Sequence, residues 1–156
     1  MRRLLLVLLV LGIVVASGAP LAWAAPAKDG AAVKPTLVTP SVHPRRVIAY
    51  YFHTTSRCAS CRAIEAYSRE AIESAFSAEL KDGRLVWKPV NIEVKGNEHF
   101  VKDYALYTKS LILVNEVRGK PAEWKNLEKV WQLLQDKDKV LRYVQDEARV
   151  YLTARS

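Results

Sequence analysis

The stretch that decides the fold is VIAYYFHTTSRCASCRAIEAY, residues 47–67. Val47 to Phe52 are continuously apolar, β-branched or aromatic, which predicts a strand buried on both faces. A polar loop follows at residues 53–56, and the recurrence of Ile64, Tyr67 and Ala71 at helical spacing predicts a helix after it. The only two cysteines of the chain, Cys58 and Cys61, therefore lie at the junction of a buried strand and a helix.

The rest of the domain alternates between strands and helices. The first helix is predicted to end at Asp82-Gly83, and the elements expected after it are a strand at Leu85–Val94, a short helix at His99–Tyr107, a strand at Leu111–Val114, a hairpin strand at Pro121–Lys125 and a helical tail. Pro89 cannot donate to a β-ladder, so the second strand is expected at a sheet edge or a bulge. A helical crossover makes the first two strands parallel, and the hairpin adds antiparallel strands. The pattern predicts an α/β fold with a mixed β-sheet, and Trp124 and Trp131 are expected in its core.

The first 24 residues, MRRLLLVLLVLGIVVASGAPLAWA, have the three parts of a signal peptide. Two arginines precede an apolar segment, Leu4–Val15, and Ala22-Trp23-Ala24 has the small-x-small pattern of a cleavage site. The apolar segment is short for a membrane span, which needs about 20 residues. We therefore expect residues 1–24 to be removed on export, and the protein to be periplasmic or extracellular. An uncleaved segment would leave it anchored to the membrane.

The residues that follow the expected signal peptide comprise a linker and one domain, as their composition indicates. Residues 25–45 are rich in Pro, Ala and Gly and show no periodicity, which is typical of a linker. Residues 46–156 have the length of one ordinary domain. The formal net charge of the whole chain is +8, but its basic residues are scattered among acids. This distribution and the expected export argue against a nucleic-acid partner.

Three stretches carry a resemblance to a known family: YYFHTTSRCASCRAIE (50–65), HFVKDYALYTKSLILV (99–114) and WKNLEKVWQLL (124–134). With them the chain resembles the thioredoxin-like superfamily, and within it a group of exported Cys-x-x-Cys proteins labelled "nitrophenyl compound nitroreductase subunit ArsF family". The resemblance implies a thioredoxin-like three-layer fold with a mixed β-sheet flanked by helices. It also implies a redox-active disulfide and no other cofactor. The family label does not imply that this chain is itself a nitroreductase. The chain is small and has no Gly-rich phosphate loop to suggest a flavin site, so it would at most pass electrons to another protein.

One position departs from the thioredoxin pattern. Thioredoxin-like proteins carry a cis-proline immediately before the third of these strands, facing the disulfide, where this chain has Thr108-Lys109-Ser110. In the family that proline positions substrate backbone and keeps metals off the cysteines. Its absence weakens a general thioredoxin role, and the alignment places the cation of Lys109 close to the cysteine pair.

A redox role explains most of the features around the cysteines. The start of a helix surrounds Cys58 with unpaired N–H groups and the positive end of the helix dipole, and Arg57 and Arg62 add cationic charge. All of these favour the thiolate, which is the nucleophile. Cys61, one turn deeper, is expected to be the buried, resolving thiol. The predicted function is thiol–disulfide exchange or disulfide-based electron relay with a protein or small-molecule thiol or disulfide and a redox partner protein.

Two alternatives remain for the same cysteines. Cys58, Cys61 and His53 would offer two thiolates and one imidazole, a soft set that suits Cu(I) better than zinc, so a soft-metal binding module is the second hypothesis. A structural clasp is the third, but closing so short a loop contributes only roughly 2 kcal/mol, against about 3 kcal/mol for fifteen residues. Glu65, one turn beyond Cys61, is expected to be solvated on the helix surface. The resemblance to the family leaves a proton relay as the alternative role for it.

Overall fold

The computed structural model describes residues 43–154, so the expected signal peptide and most of the expected linker lie outside the described residues. The elements are β1 (Arg45–His53), α1 (Ala59–Ala75), α2 (Ser77–Asp82), β2 (Leu85–Asn91), α3 (His99–Asp103), β3 (Ser110–Val117), β4 (Lys120–Asn126), α4 (Lys129–Leu133) and α5 (Lys137–Thr153). None of the helices in this part of the chain has the length and apolar character that a membrane crossing requires.

The four strands form one mixed sheet in the order β2-β1-β3-β4. β1 and β2 run parallel, as the helical crossover between them predicts. β3 pairs antiparallel with β1, and the β3–β4 hairpin turns at Arg118 and Gly119, both with positive φ. Pro89 lies on the edge strand β2, as expected for a residue that cannot donate to a ladder. This strand order, with a Cys-x-x-Cys pair after the central strand β1, is a thioredoxin-like α/β fold.

Alternate residues of β1 feed two separate cores, because successive side chains of a strand point to opposite faces. Ala49 and Tyr51 face the larger core, which is closed by α1 and α5. Ile48, Tyr50 and Phe52 face a smaller, aromatic core, which is covered by Phe100 of α3 and the residues that follow it. All of Val47 to Phe52 are buried. The predicted strand that is buried on both faces is confirmed, and its carboxyl end carries the cysteine loop.

Four local predictions are wrong. The first helix breaks at Phe76, whose buried ring takes its backbone out of the helical region (φ −131°, ψ 36°), so a separate α2 continues to Asp82. Helix α3 and strand β2 end earlier than predicted, at Asp103 and Asn91. Trp124 is 42% exposed on the edge strand β4 and meets Tyr104 edge to face, so it is not a core residue. Trp131 does pack against the larger core, as expected.

Candidate redox site

Cys58 and Cys61 are joined as a disulfide at the start of α1, with their Cα atoms 5.2 Å apart. Cys58 is the N-cap residue: its backbone is extended, and its Sγ accepts a hydrogen bond from the backbone N–H of Cys61 at 3.2 Å. Cys58 is exposed, whereas Cys61 is only 2% exposed. The expected burial of Cys61 is therefore confirmed, while the roles of Cys58 as the attacking thiol and Cys61 as the resolving thiol remain predictions.

The start of α1 is electrostatically suited to a thiolate. The first turn of the helix, Ala59 to Arg62, contains no acidic residue. Unpaired N–H groups and the helix dipole place partial positive charge at this end. The Cys58 sulfur at the N-cap already accepts a hydrogen bond from one of those N–H groups. The thiolate form of Cys58 would therefore be stabilised both by this hydrogen bond and by the positive field of the helix.

The two arginines expected to support the site are in different situations. Arg62 donates from Nη1 to the carbonyl oxygen of Arg57 at 2.7 Å, which keeps its cation beside the residue that precedes Cys58. Within residues 43–154, Arg62 makes no ion pair with a carboxylate. Arg57 instead pairs with Glu65. The expectation of a solvated Glu65 is wrong, since its side chain is 22% exposed and bound to this guanidinium.

Tyr51 connects the central strand to the cysteine turn. Its hydroxyl donates to the carbonyl oxygen of Cys61 at 2.6 Å. Burial raises the pKa of Tyr51 above its ordinary value, and the nearby Arg57 guanidinium, 5.9 Å from the ring centroid, opposes that rise. The hydroxyl therefore stays protonated as a donor. Sequence reasoning placed Tyr51 in the buried strand without seeing this role.

The loop that carries the cysteines is braced by Asn91, the last residue of β2, and by Glu93, two positions beyond it. Glu93 accepts a hydrogen bond from the backbone N–H of Thr55 at 2.9 Å, and Asn91 donates from Nδ2 to the Thr55 hydroxyl at 3.0 Å. The bonds from Thr55 hold the pKa of Glu93 below its ordinary value, with a smaller contribution from Lys109. Sequence reasoning missed both residues. The parallel pairing of His53 with Asn91 is the signal that could have found them, because it brings the ends of β1 and β2 together.

Lys109 lies in a small recess beside the cysteine loop. The recess has a volume of about 160 Å³ and is lined by Phe52, His53, Thr54, Ile92, Leu106, Tyr107, Thr108 and Lys109. Its rim carries Tyr107, which is 96% exposed. No cis peptide bond occurs in the described part of the chain, so none replaces the family's cis-proline in the stretch before β3. The expected proximity of Lys109 to the cysteines remains a prediction.

The residues expected for a soft-metal site are not gathered into a ligand cluster. The Nδ1 of His53 lies 3.0 Å from the carbonyl oxygen of Thr54. In the part of the chain that the structure describes, no group of three or more His, Cys, Asp or Glu side chains is arranged to hold a metal ion. The hypothesis that Cys58, Cys61 and His53 bind a metal therefore remains a prediction.

Comparisons with known proteins do not assign this chain to a family. No family model matches the chain, and no curated protein matches it. Among solved structures it is similar to a thioredoxin from Fasciola hepatica at 22% sequence identity. The match covers 58% of this chain and 79% of that one, with a TM-score of 0.35. The assignment to the thioredoxin-like fold therefore rests on the strand order and on the position of the cysteines.

Proposed function

We propose that this chain is an exported thiol–disulfide oxidoreductase, or a disulfide-based electron relay, that works through Cys58 and Cys61. The observation that supports this most is the asymmetry of the pair. An exposed sulfur caps a seventeen-residue helix, and its partner is buried one turn further in. A purely structural clasp needs no exposed sulfur at a helix start, whereas a nucleophile needs both access and stabilisation of its thiolate.

The exchange reaction runs in two steps when the protein acts as a reductant. The Cys58 thiolate attacks one sulfur of the partner's disulfide, forms a mixed disulfide and releases the partner's other sulfur as a thiolate. Cys61 then loses its proton to solvent and attacks the Cys58 sulfur, which reforms the Cys58–Cys61 disulfide and releases the second thiolate of the partner. Two electrons pass to the partner. The same steps in reverse describe an oxidant.

The proposed partners follow from this chemistry. The cysteine pair itself carries the two electrons, so the reaction needs no bound cofactor. The substrate is a thiol or disulfide of a protein or small molecule, and a redox partner protein resets the pair. The resemblance to the exported nitroreductase-subunit group supports a place outside the cytoplasm and a role in passing electrons to another protein. Tyr107 and the recess beside it would supply an aromatic contact for that partner.

A thiol titration combined with metal analysis tests this proposal against the metal-binding alternative. The purified protein should show no free thiol before mild reduction and two per chain afterwards, with no bound metal. A Cys58→Ser/Cys61→Ser double variant is the matched control and should show none in either state. Stoichiometric copper bound to reduced cysteines, lost in a His53→Ala variant, would instead support the soft-metal binding module with the His53 ligand.

A further inference from the structure

Arg57 immediately precedes the attacking cysteine, yet its guanidinium is held by another partner. It forms an ion pair with Glu65, which lies on α1 seven positions beyond Cys58. Both side chains are largely enclosed, with 25% of Arg57 and 22% of Glu65 exposed. The two other ion pairs that α1 makes within the described residues, Arg69–Glu73 and Lys137–Glu70, are about half exposed. The Arg57–Glu65 pair is therefore less screened by solvent than ordinary surface pairs are.

A second contact fixes the same guanidinium on its other side. The Arg57 guanidinium lies over the ring of Tyr51, 5.9 Å from the centroid, and the Tyr51 hydroxyl is bonded to the carbonyl oxygen of Cys61. Strand β1 and helix α1 thus hold one cation between them, directly beside the cysteine turn. Arg62, which bonds the Arg57 carbonyl oxygen, is left as the cation without a carboxylate partner among residues 43–154.

We propose that Glu65 lowers the reduction potential of the cysteine pair by holding the Arg57 guanidinium away from the Cys58 sulfur, which keeps the pair less oxidising than its sequence alone suggests. This inference rests on the proposed function, and it assigns a regulator to the same site. Glu65 is a positioning residue in this scheme. It acts on Cys58 only through Arg57.

The direction of the change in reduction potential follows from the half-reaction that reduces the disulfide. The disulfide takes up two electrons and one proton to give a Cys58 thiolate and a Cys61 thiol. A free cation near Cys58 stabilises the thiolate and so favours the reduced form, which makes the disulfide a stronger oxidant. Pairing with Glu65 keeps the Arg57 guanidinium from turning towards the Cys58 sulfur, and so withholds that stabilisation. Glu65 itself lies roughly 10 Å along the helix from Cys58, about one Debye length in physiological salt, so its direct repulsion of the thiolate is weak.

A double-mutant cycle between Arg57 and Glu65 tests the proposal. Glu65→Gln should shift the equilibrium with a glutathione buffer towards the reduced form by about 3–10-fold, equivalent to about 15–30 mV. It should also move the midpoint of the Cys58 alkylation rate to lower pH by about 0.5–1 unit. Arg57→Met alone should change either quantity little, because the Arg57 guanidinium is already held away from the Cys58 sulfur. In the Arg57→Met background, the effect of Glu65→Gln should vanish, whereas Arg57→Lys should preserve it.

The matched control is Glu73→Gln, which removes the carboxylate of the exposed Arg69–Glu73 pair on the same helix. It should leave both quantities unchanged. A Glu65→Gln variant with wild-type equilibrium, or a shift that persists undiminished without Arg57, overturns the inference while leaving the proposed function intact. A wild-type protein that shows no reversible equilibrium with glutathione would instead refute the proposed function. Thermal melting of every variant distinguishes loss of folding from a change in the reduction potential of the cysteine pair.

Discussion

The hydroxyl of Tyr51 donates a hydrogen bond to the carbonyl oxygen of Cys61 across a distance of 2.6 Å. Tyr51 is fully buried in the central strand, and Cys61 is buried in the first turn of the following helix. This bond fixes the resolving cysteine relative to the sheet, independently of the disulfide. The cysteine turn therefore has a support other than the disulfide.

Tyr51→Phe should lower the free energy of unfolding by about 1–2 kcal/mol, because it removes a buried hydrogen bond. Urea denaturation of the oxidised and the reduced protein measures this loss, and it should be similar in both forms. Tyr107→Phe is the control, since the hydroxyl it deletes belongs to a side chain that is 96% exposed. Equal stability of the Tyr51→Phe variant and the wild type would mean that the bond contributes nothing.

The two cysteines should behave differently when each is replaced. Cys61→Ser leaves the exposed attacking thiol intact but removes its resolving partner, so mixed disulfides with substrate proteins should accumulate on a non-reducing gel. Cys58→Ser should trap little. In the reduced wild type, alkylation at mildly acidic pH followed by mass spectrometry should label Cys58 well before Cys61. Faster labelling of Cys61, or better trapping by Cys58→Ser, would reverse the assigned roles.

Glu93 should support the cysteine loop down to moderately acidic pH. Its pKa is lowered by the bonds from Thr55, so the stability it contributes is present above its unfolded-state pKa and is lost as pH falls through the lower folded-state value. Glu93→Ala should speed amide exchange at Thr55 and slow disulfide exchange at neutral pH. Glu93→Gln, which keeps an acceptor oxygen, should retain most of both. Identical behaviour of the two variants would exclude a role for the Thr55 bond.

Three tyrosines should titrate late in the folded protein. Burial raises the pKa of Tyr104, Tyr143 and Tyr151 to about 12, with smaller contributions from nearby acidic groups. Their stabilisation of the fold is complete below the unfolded-state pKa and is lost as pH rises through the folded-state value. The tyrosinate absorbance of these three residues should therefore rise only in strongly alkaline solution, and its rise should coincide with loss of circular dichroism. A single early transition would contradict the burial of these rings.

Export should remove the first 24 residues. When the protein is produced in a bacterium with a functional secretion pathway, intact-mass analysis of the exported product should place Ala25 at the N-terminus. A variant with Ala22 and Ala24 replaced by large residues is the control and should remain uncleaved. A full-length wild-type product in the membrane fraction would mean that the segment serves as an anchor.

The elements that could be predicted from the sequence are those that local sequence patterns specify. The continuous apolar run before His53, the helical spacing after Cys61 and the turn at Arg118-Gly119 each specify an element without help from distant residues. The break between α1 and α2 at Phe76 has no such local signal. Phe76 continues the apolar face of the first helix, and only the core into which its ring packs shows that the backbone must leave the helix there.

Within the candidate site, the positions of the cysteines were predictable and their supporting contacts were not. The exposure of Cys58 follows from its place at the N-cap of α1, and the burial of Cys61 from its place in the first turn. The bonds of Tyr51, Asn91 and Glu93 depend on which strand ends meet, which requires the register of the sheet. The side chain of Arg57 could have extended towards Cys58 or along α1 towards Glu65. The local sequence does not indicate which of the two directions it takes.

The burial of Cys61 directly beneath an exposed sulfur also bears on peroxide damage. If Cys58 is the attacking thiolate, as proposed, a peroxide that reaches the reduced protein should meet it first and convert it to a sulfenic acid. The thiol of Cys61, within disulfide-bonding reach of it, can then attack that sulfur and expel water, which returns the pair to its oxidised form before a second peroxide adds further oxygen. The geometry proposed to separate the roles of the two cysteines in exchange should thus also make the first oxidation by peroxide reversible, at the expense of two reducing equivalents.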